Sequence, residues 1–110
     1  MNEPATIHAL LQSKTIAVIG LSDDPTKPSH FVSAYMQRAG HRILPIKPDL
    51  VNVFRLPRFI PAIVDEMIAL HLPALWIQQG ILHPEAAAKA EAHGIKVVMD
   101  RCIMIESRHV

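Results

Sequence analysis

Hydrophobic positions along the chain come in two textures. One is the short, nearly unbroken apolar run, and Thr15-Ile16-Ala17-Val18-Ile19 is the clearest example. Such a run predicts a strand covered on both faces. His41 to Ile46, Leu50 to Phe54, Ala74 to Ile77 and Ile95 to Met99 read the same way. The other texture returns an apolar residue every three or four positions, the signature of an amphipathic helix. It places a short leading helix at Ala5 to Gln12 and a second helix at His30 to Ala39. In the second, Phe31, Val32, Tyr35, Met36 and Ala39 share a face, with Ser29 expected as N-cap and Gly40 just past the end. Pro61 to Leu70 turns Ile60, Ile63, Val64, Met67 and Ile68 toward a core and Asp65 and Glu66 outward. An alanine-rich helix at Pro84 to His93 stops at Gly94, and Asp100 to Glu106 closes the chain. Strands alternating with helices predict an α/β fold, a mostly parallel sheet with helices on both faces. At 110 residues the chain has room for one domain, spanning 1–110.

One place breaks the alternation. Only Lys47, Pro48 and Asp49 separate the strand ending at Ile46 from the one starting at Leu50. A parallel pair needs a crossover of about a dozen residues or more. Either the two strands form a hairpin or the chain lacks a connection. No Gly or Asn supplies the favoured two-residue hairpin turn, so a missing connection is the better reading.

Composition narrows the classes. No apolar run approaches the roughly 20 residues that span a bilayer, and Met1-Asn2-Glu3-Pro4 has no basic n-region of a signal peptide. A lone cysteine, Cys102, excludes an internal disulfide framework and fits a reducing compartment. A cytoplasmic location is therefore expected. The net charge is +1, and Lys14, Lys27, Arg38, Lys47, Arg55 and Arg58 are scattered along the chain. Nucleic-acid binders show a basic stripe with stacking aromatics, so that partner class is not expected. A small phosphorylated ligand needs only two or three cations.

The loops after the strands carry the candidate chemistry, because ligands of open α/β sheets bind at the carboxyl ends of the strands. After the first strand come Gly20, Ser22, Thr26, Lys27 and Ser29: a tight turn, three hydroxyls and a cation leading into a helix N-terminus. Asp23 and Asp24 oppose an anion unless they point away. The loop has neither the further glycines of a dinucleotide fingerprint nor a P-loop ending. Lys47-Pro48 ends the second strand, where NAD-binding folds place an acid. A lysine there favours a phosphorylated ribose, as in NADP or coenzyme A. Phe54, Arg55 and Arg58 follow the third strand, offering an apolar cover and phosphate-reaching cations. Trp76-Ile77-Gln78-Gln79-Gly80 pairs a core tryptophan with amide donors and a close backbone approach. Each has a plain structural reading beside the functional one: an N-cap serine, a solvated lysine, a core phenylalanine with solvated arginines.

Catalytic patterns are not met. Ser22 has no nucleophile-elbow context, and adjacent Asp65 and Glu66 diverge on a helix. The seven histidines show no metal-ligand spacing. Cys102 beside Arg101 is either activated by the cation or simply buried. The residues describe a binder and no enzyme.

Four blocks resemble a known family: Ile16 to Ser22, Val53-Phe54-Arg55, Trp76 to Ile81, and Met99-Asp100-Arg101-Cys102-Ile103. Together they resemble the small stand-alone coenzyme A-binding domain proteins, similar to the N-terminal domain of the succinyl-CoA synthetase alpha subunit. The resemblance implies a single Rossmann-like domain that holds the ADP part of coenzyme A across the strand ends. It implies Gly20, Ser22, Lys27 and Ser29 around the diphosphate, and Phe54 and Arg55 beside the adenine and 3′-phosphate. Ile77, Gln78 and Gly80 would line the opposite wall. This chain has Lys47-Pro48 where the family shows Asn-Pro, and the family's longer connection before Val53 agrees with the missing crossover. The expected function is non-catalytic binding of coenzyme A or an acyl-CoA, and the synthetase reaction does not follow from a shared fold. The rivals are an NADP-binding protein, a redox protein acting through a mixed disulfide at Cys102, and an interaction module without a ligand.

Overall fold

The computed structural model describes residues 1–20, 22–43 and 48–109. Its elements in chain order are α1 (Pro4–Leu11), β1 (Thr15–Ile19), α2 (Pro28–Arg38), β2 (Arg42–Ile43), β3 (Leu50–Val53), α3 (Ile60–Ala69), β4 (Ala74–Ile77), α4 (Pro84–Ala92), β5 (Lys96–Met99) and α5 (Ile103–Ser107). A one-turn 3-10 helix, Pro57–Phe59, leads into α3. All strand pairs are parallel, in the order β2-β1-β3-β4-β5. One face of the sheet packs on α1, α2 and α5 through Leu10, Val32, Met36 and Ile103. The other packs on α3 and α4 through Ile60, Val64, Met67 and Ala87. The Rossmann-like α/β architecture is the one expected.

The apolar runs set the strands closely. β3 and β4 are buried at every position, as befits central parallel strands with a helix layer on each side. Trp76 is completely buried, and its indole N–H donates to the Arg101 carbonyl at 2.8 Å. At the outer edge of the sheet, the Asn2 side chain acts as a short strand. It donates to the Met99 carbonyl (2.6 Å) and accepts from the Met99 N–H (2.7 Å).

The step from β2 to β3 is not a hairpin, because β1 lies between them. Ile43 and Leu50 both stand opposite Ile16, so the two strands lie level on either side of β1. Residues 44–47 lie outside the described residues. Asp49 is held at the foot of β1, its N–H donating to the Thr15 carbonyl (3.2 Å) and Oγ1 (2.8 Å). Among the described residues no helix separates β2 from β3, and β1 records the consequence. Ile16 and Val18 are buried, while Thr15, Ala17 and Ile19 on the opposite face are only half-buried. The first strand is covered on both faces, as expected, but unequally: Ala17 and Ile19 pack against the α3 and α4 side only in part, because those helices cover the sheet from β3 outward and the layer thins over β1.

Helix ends depart from the reading in one place. Ser29 is not the N-cap of α2. Lys27 holds that position and Pro28 begins the helix, where a fixed φ and a missing N–H are favourable. The buried stripe of α2 is Ser29, Val32, Ser33 and Met36. Phe31 is turned outward at 42% exposure, and Ala39 is exposed. No helix among the described residues is long and apolar enough to cross a membrane.

Candidate functional site

Parallel strands all end on the same side of the sheet, so the loops after β1, β3 and β4 meet there. Gly20 makes this possible. Its φ is +86°, and a Cβ would lie 2.3 Å from the carbonyl oxygen of Phe54, well inside van der Waals contact. The two loops therefore touch backbone to backbone, and only glycine fits. Above Gly20, the Ser22 N–H donates to Ser29 Oγ at 2.9 Å, tying the loop to the first turn of α2. That bond replaces the capping role expected of Ser29.

The remainder of the loop folds on itself. Asp24 accepts from the Thr26 N–H (2.9 Å) and Thr26 Oγ1 (2.8 Å). These bonds hold its carboxyl below the usual aspartate range. Thr26, proposed from sequence as a phosphate-facing hydroxyl, spends that hydroxyl on Asp24.

On the far side, the Gly80 N–H donates to an Asp100 carboxylate oxygen at 2.7 Å. The buried Gln78 accepts the Ile103 N–H at its Oε1 (3.1 Å), fixing the start of α5. Gln78 thus sets α5 in place beneath the loop as well as facing the space in front of it.

These loops enclose a cavity of about 900 Å³, near the upper end of the range for small-molecule sites, roughly 300–1,000 Å³. Gly20, Ser22, Lys27 and Ser29 line it from the first loop and α2. Phe54 and Arg55 line it from the loop after β3, and Gln78 and Gly80 from the loop after β4. Among the described residues Lys27 and Arg55 are its cations, and no carboxylate lines it. Arg55 also stacks on Phe59, its Cζ 4.0 Å from the ring centroid, which orients a guanidinium for planar anion contact. Arg58 lies against the same ring at 4.9 Å but does not line the cavity.

Two candidates fall elsewhere. Ile77 is fully buried in the core shared with α3 and α4, because alternation along β4 turns it away from the cavity. Pro48 is buried beside the start of β3, at the amino end of the sheet. Lys47 lies outside the described residues. Sequence reasoning also missed part of the wall. Phe31 and Val32 of α2, Leu56, and Cys102, Met104 and Ile105 at α5 line the same cavity. Helical spacing had assigned Phe31 and Val32 to the core, and α5 was too short to show a period.

Cys102 is half-buried at the N-cap of α5. Among the described residues no group of three or more His, Cys, Asp or Glu side chains is placed to hold a metal ion. His83 caps α4, its Nδ1 accepting the Ala86 N–H at 3.1 Å.

Comparison with known proteins gives a consistent account. A family model described as a CoA binding domain matches residues 14–49 and 45–108. The two stretches meet at the link between β2 and β3, so the family pattern is interrupted where the crossover was judged missing. The uncharacterized protein YneT of Bacillus subtilis is 37% identical over 123 residues, covering 92% of this chain and 91% of YneT. The solved structure of cell-free ID.343 from Thermus thermophilus superposes with a TM-score of 0.88 at 32% identity, covering 97% of this chain and 98% of that one. A hypothetical protein from Pyrococcus horikoshii OT3 shares the fold, with a TM-score of 0.89 at 23% identity over 97% of this chain and 91% of its own.

Proposed function

We propose that this chain, which belongs to the CoA binding domain family, holds coenzyme A in the cavity at the carboxyl ends of β1, β3 and β4. The observation that carries the reading is the meeting of three separate loops around one space lined, among the described residues, by Lys27 and Arg55 and by no carboxylate. Coenzyme A presents a diphosphate and a 3′-phosphate, and the residues fit that chemistry. Lys27, the Ser22 hydroxyl and the first turn of α2 would hold the diphosphate, an arrangement helix N-termini favour. Arg55, stacked on Phe59, would take the second phosphate. Phe54 offers an apolar surface to the adenine.

We propose binding without catalysis. Among the described residues the polar side chains of the site are a lysine, an arginine, two hydroxyls, two amides and one thiol, and none pairs with a base that would activate it. When bound, the coenzyme supplies a thiol that carries acyl groups as thioesters. The protein's own residues bind and orient it.

Thermal unfolding with added ligand tests the reading. Ligand at about 100 times its Kd stabilises the native state by about 2.7 kcal/mol, roughly a 10 °C rise in Tm for a domain of this size. Coenzyme A should give that rise, 3′-dephospho-coenzyme A a smaller one, and NADP the least. A Tm indifferent to millimolar coenzyme A would refute the proposal, and a larger shift with NADP would transfer the site to that nucleotide.

A further inference from the structure

The cavity has two unlike walls. One is the polar wall already described. The other is apolar and comes from α2 and α5, which pack side by side on the same face of the sheet, with Arg108 reaching across to Tyr35 (5.6 Å to the ring centroid). Phe31 and Val32 of α2, Met104 and Ile105 of α5, its N-cap Cys102, and Leu56 all line this cavity. Five large hydrophobic side chains are exposed among the described residues, and three of them, Phe31 (42%), Leu56 (59%) and Ile105 (41%), line this one space. Single exposed apolar residues are ordinary, but a cluster beside a cavity marks a surface meant to be covered.

An adenosine phosphate alone leaves that wall in water. Beyond Lys27 and Arg55, the described lining is uncharged and largely apolar, so apolar contact is what it offers for further affinity. The apolar wall is continuous with the phosphate-facing loops through Ser29 and Val32, three positions apart on one face of α2 and both lining the cavity.

We infer that the preferred occupant is a coenzyme A thioester with a medium-length or longer acyl chain, the chain lying between Phe31 on α2 and Met104 and Ile105 on α5. The inference rests on the coenzyme A reading and names the form of the coenzyme bound. A fully buried methylene is worth about fourfold in affinity. Octanoyl exceeds acetyl by six methylenes, so even a groove left largely open gives a gain of roughly tenfold or more.

Calorimetric titration of the intact chain with coenzyme A, acetyl-CoA, octanoyl-CoA and lauroyl-CoA, below their micelle concentrations, decides the matter. The expected series is coenzyme A and acetyl-CoA alike, octanoyl-CoA at least about tenfold tighter, and lauroyl-CoA tighter again. Ile105→Asp, at an exposed position, should keep the fold by circular dichroism and shrink the octanoyl-to-acetyl ratio to about threefold or less. If coenzyme A binds and the four ligands agree within about threefold, the acyl inference fails while the coenzyme A reading stands. If none binds, both fail. A wild-type preference for octanoyl-CoA unchanged in Ile105→Asp also overturns the inference, since the chain then lies elsewhere. So does a stable dimer in solution whose affinities ignore chain length, because a second copy then covers the wall.

Discussion

Gly20 and Gly80 both sit at the mouth of the cavity with positive φ, yet their surroundings differ sharply. A Cβ on Gly20 meets the Phe54 carbonyl oxygen at 2.3 Å, whereas one on Gly80 meets nothing within 4 Å. Gly20→Ala therefore combines left-handed backbone strain with a backbone clash, and should cost about 2–5 kcal/mol. Gly80→Ala bears only the strain, about 1–2 kcal/mol. Urea denaturation of both variants measures the difference, and equal losses would remove the close loop contact from the account. The sequence marked both glycines as candidates but had no means of ranking them. What separates them is the approach of Phe54, 34 positions later in the chain. Ile77 was misplaced for a related reason: in a strand buried on both faces, residue type no longer tells which side faces a ligand.

Among the elements, α3 ends in a way that invites repair. The His71 N–H donates to the Ile68 carbonyl (3.2 Å) and the Leu72 N–H to that of Met67 (3.0 Å), the paired bonds of a Schellman ending. The position between requires a left-handed backbone, and His71 adopts it at φ +55°. His71→Gly should raise stability by about 0.5–1 kcal/mol, read as a higher urea midpoint with unchanged slope. The loop between β1 and α2 carries its own pH signature. Bonding to Thr26 lowers the pKa of Asp24 below its ordinary value of 3.8. A depressed carboxyl stabilises the native state above the unfolded pKa, and that stabilisation disappears as pH falls through the lower folded value. Asp24→Asn should flatten the acid limb of Tm below about pH 4 and leave the neutral range little changed. An acid limb identical to wild type would mean that Asp24 is no better bonded in the native state than in the unfolded chain. The helices themselves were legible because their apolar residues keep a 3.6-residue period. The ends were less so. Ser29 resembles an N-cap by type, but Pro28 before it fits only at the start of the helix, and that moves the cap to Lys27.

At the scale of the whole molecule, the short link after β2 has the widest effect. The sequence revealed the break because three residues between two apolar runs are too few for a parallel crossover. It did not show which side of the sheet would be left thin. The strand order and the helix layers answer that: β1 lies between β2 and β3, α1, α2 and α5 pack on one face of the sheet, and α3 and α4 cover the other face from β3 outward. Ile16 faces the full layer and is buried, while Ile19 faces the thin one and is half-buried. The two isoleucines stand three positions apart on one strand, so truncating each compares the layers directly. Ile16→Ala should cost about 3–5 kcal/mol, near the upper range for a buried aliphatic side chain. Ile19→Ala should cost about 1–2 kcal/mol, because water already reaches part of the side chain and less apolar area is lost. Chemical denaturation of both variants tests this, and equal costs would mean that β1 is covered alike on both faces. Inserting a crossover segment of about a dozen residues or more between Ile43 and Leu50 should then raise the cost of Ile19→Ala toward that of Ile16→Ala. That convergence would locate the missing layer over β1, adjacent to the loop that begins at Gly20.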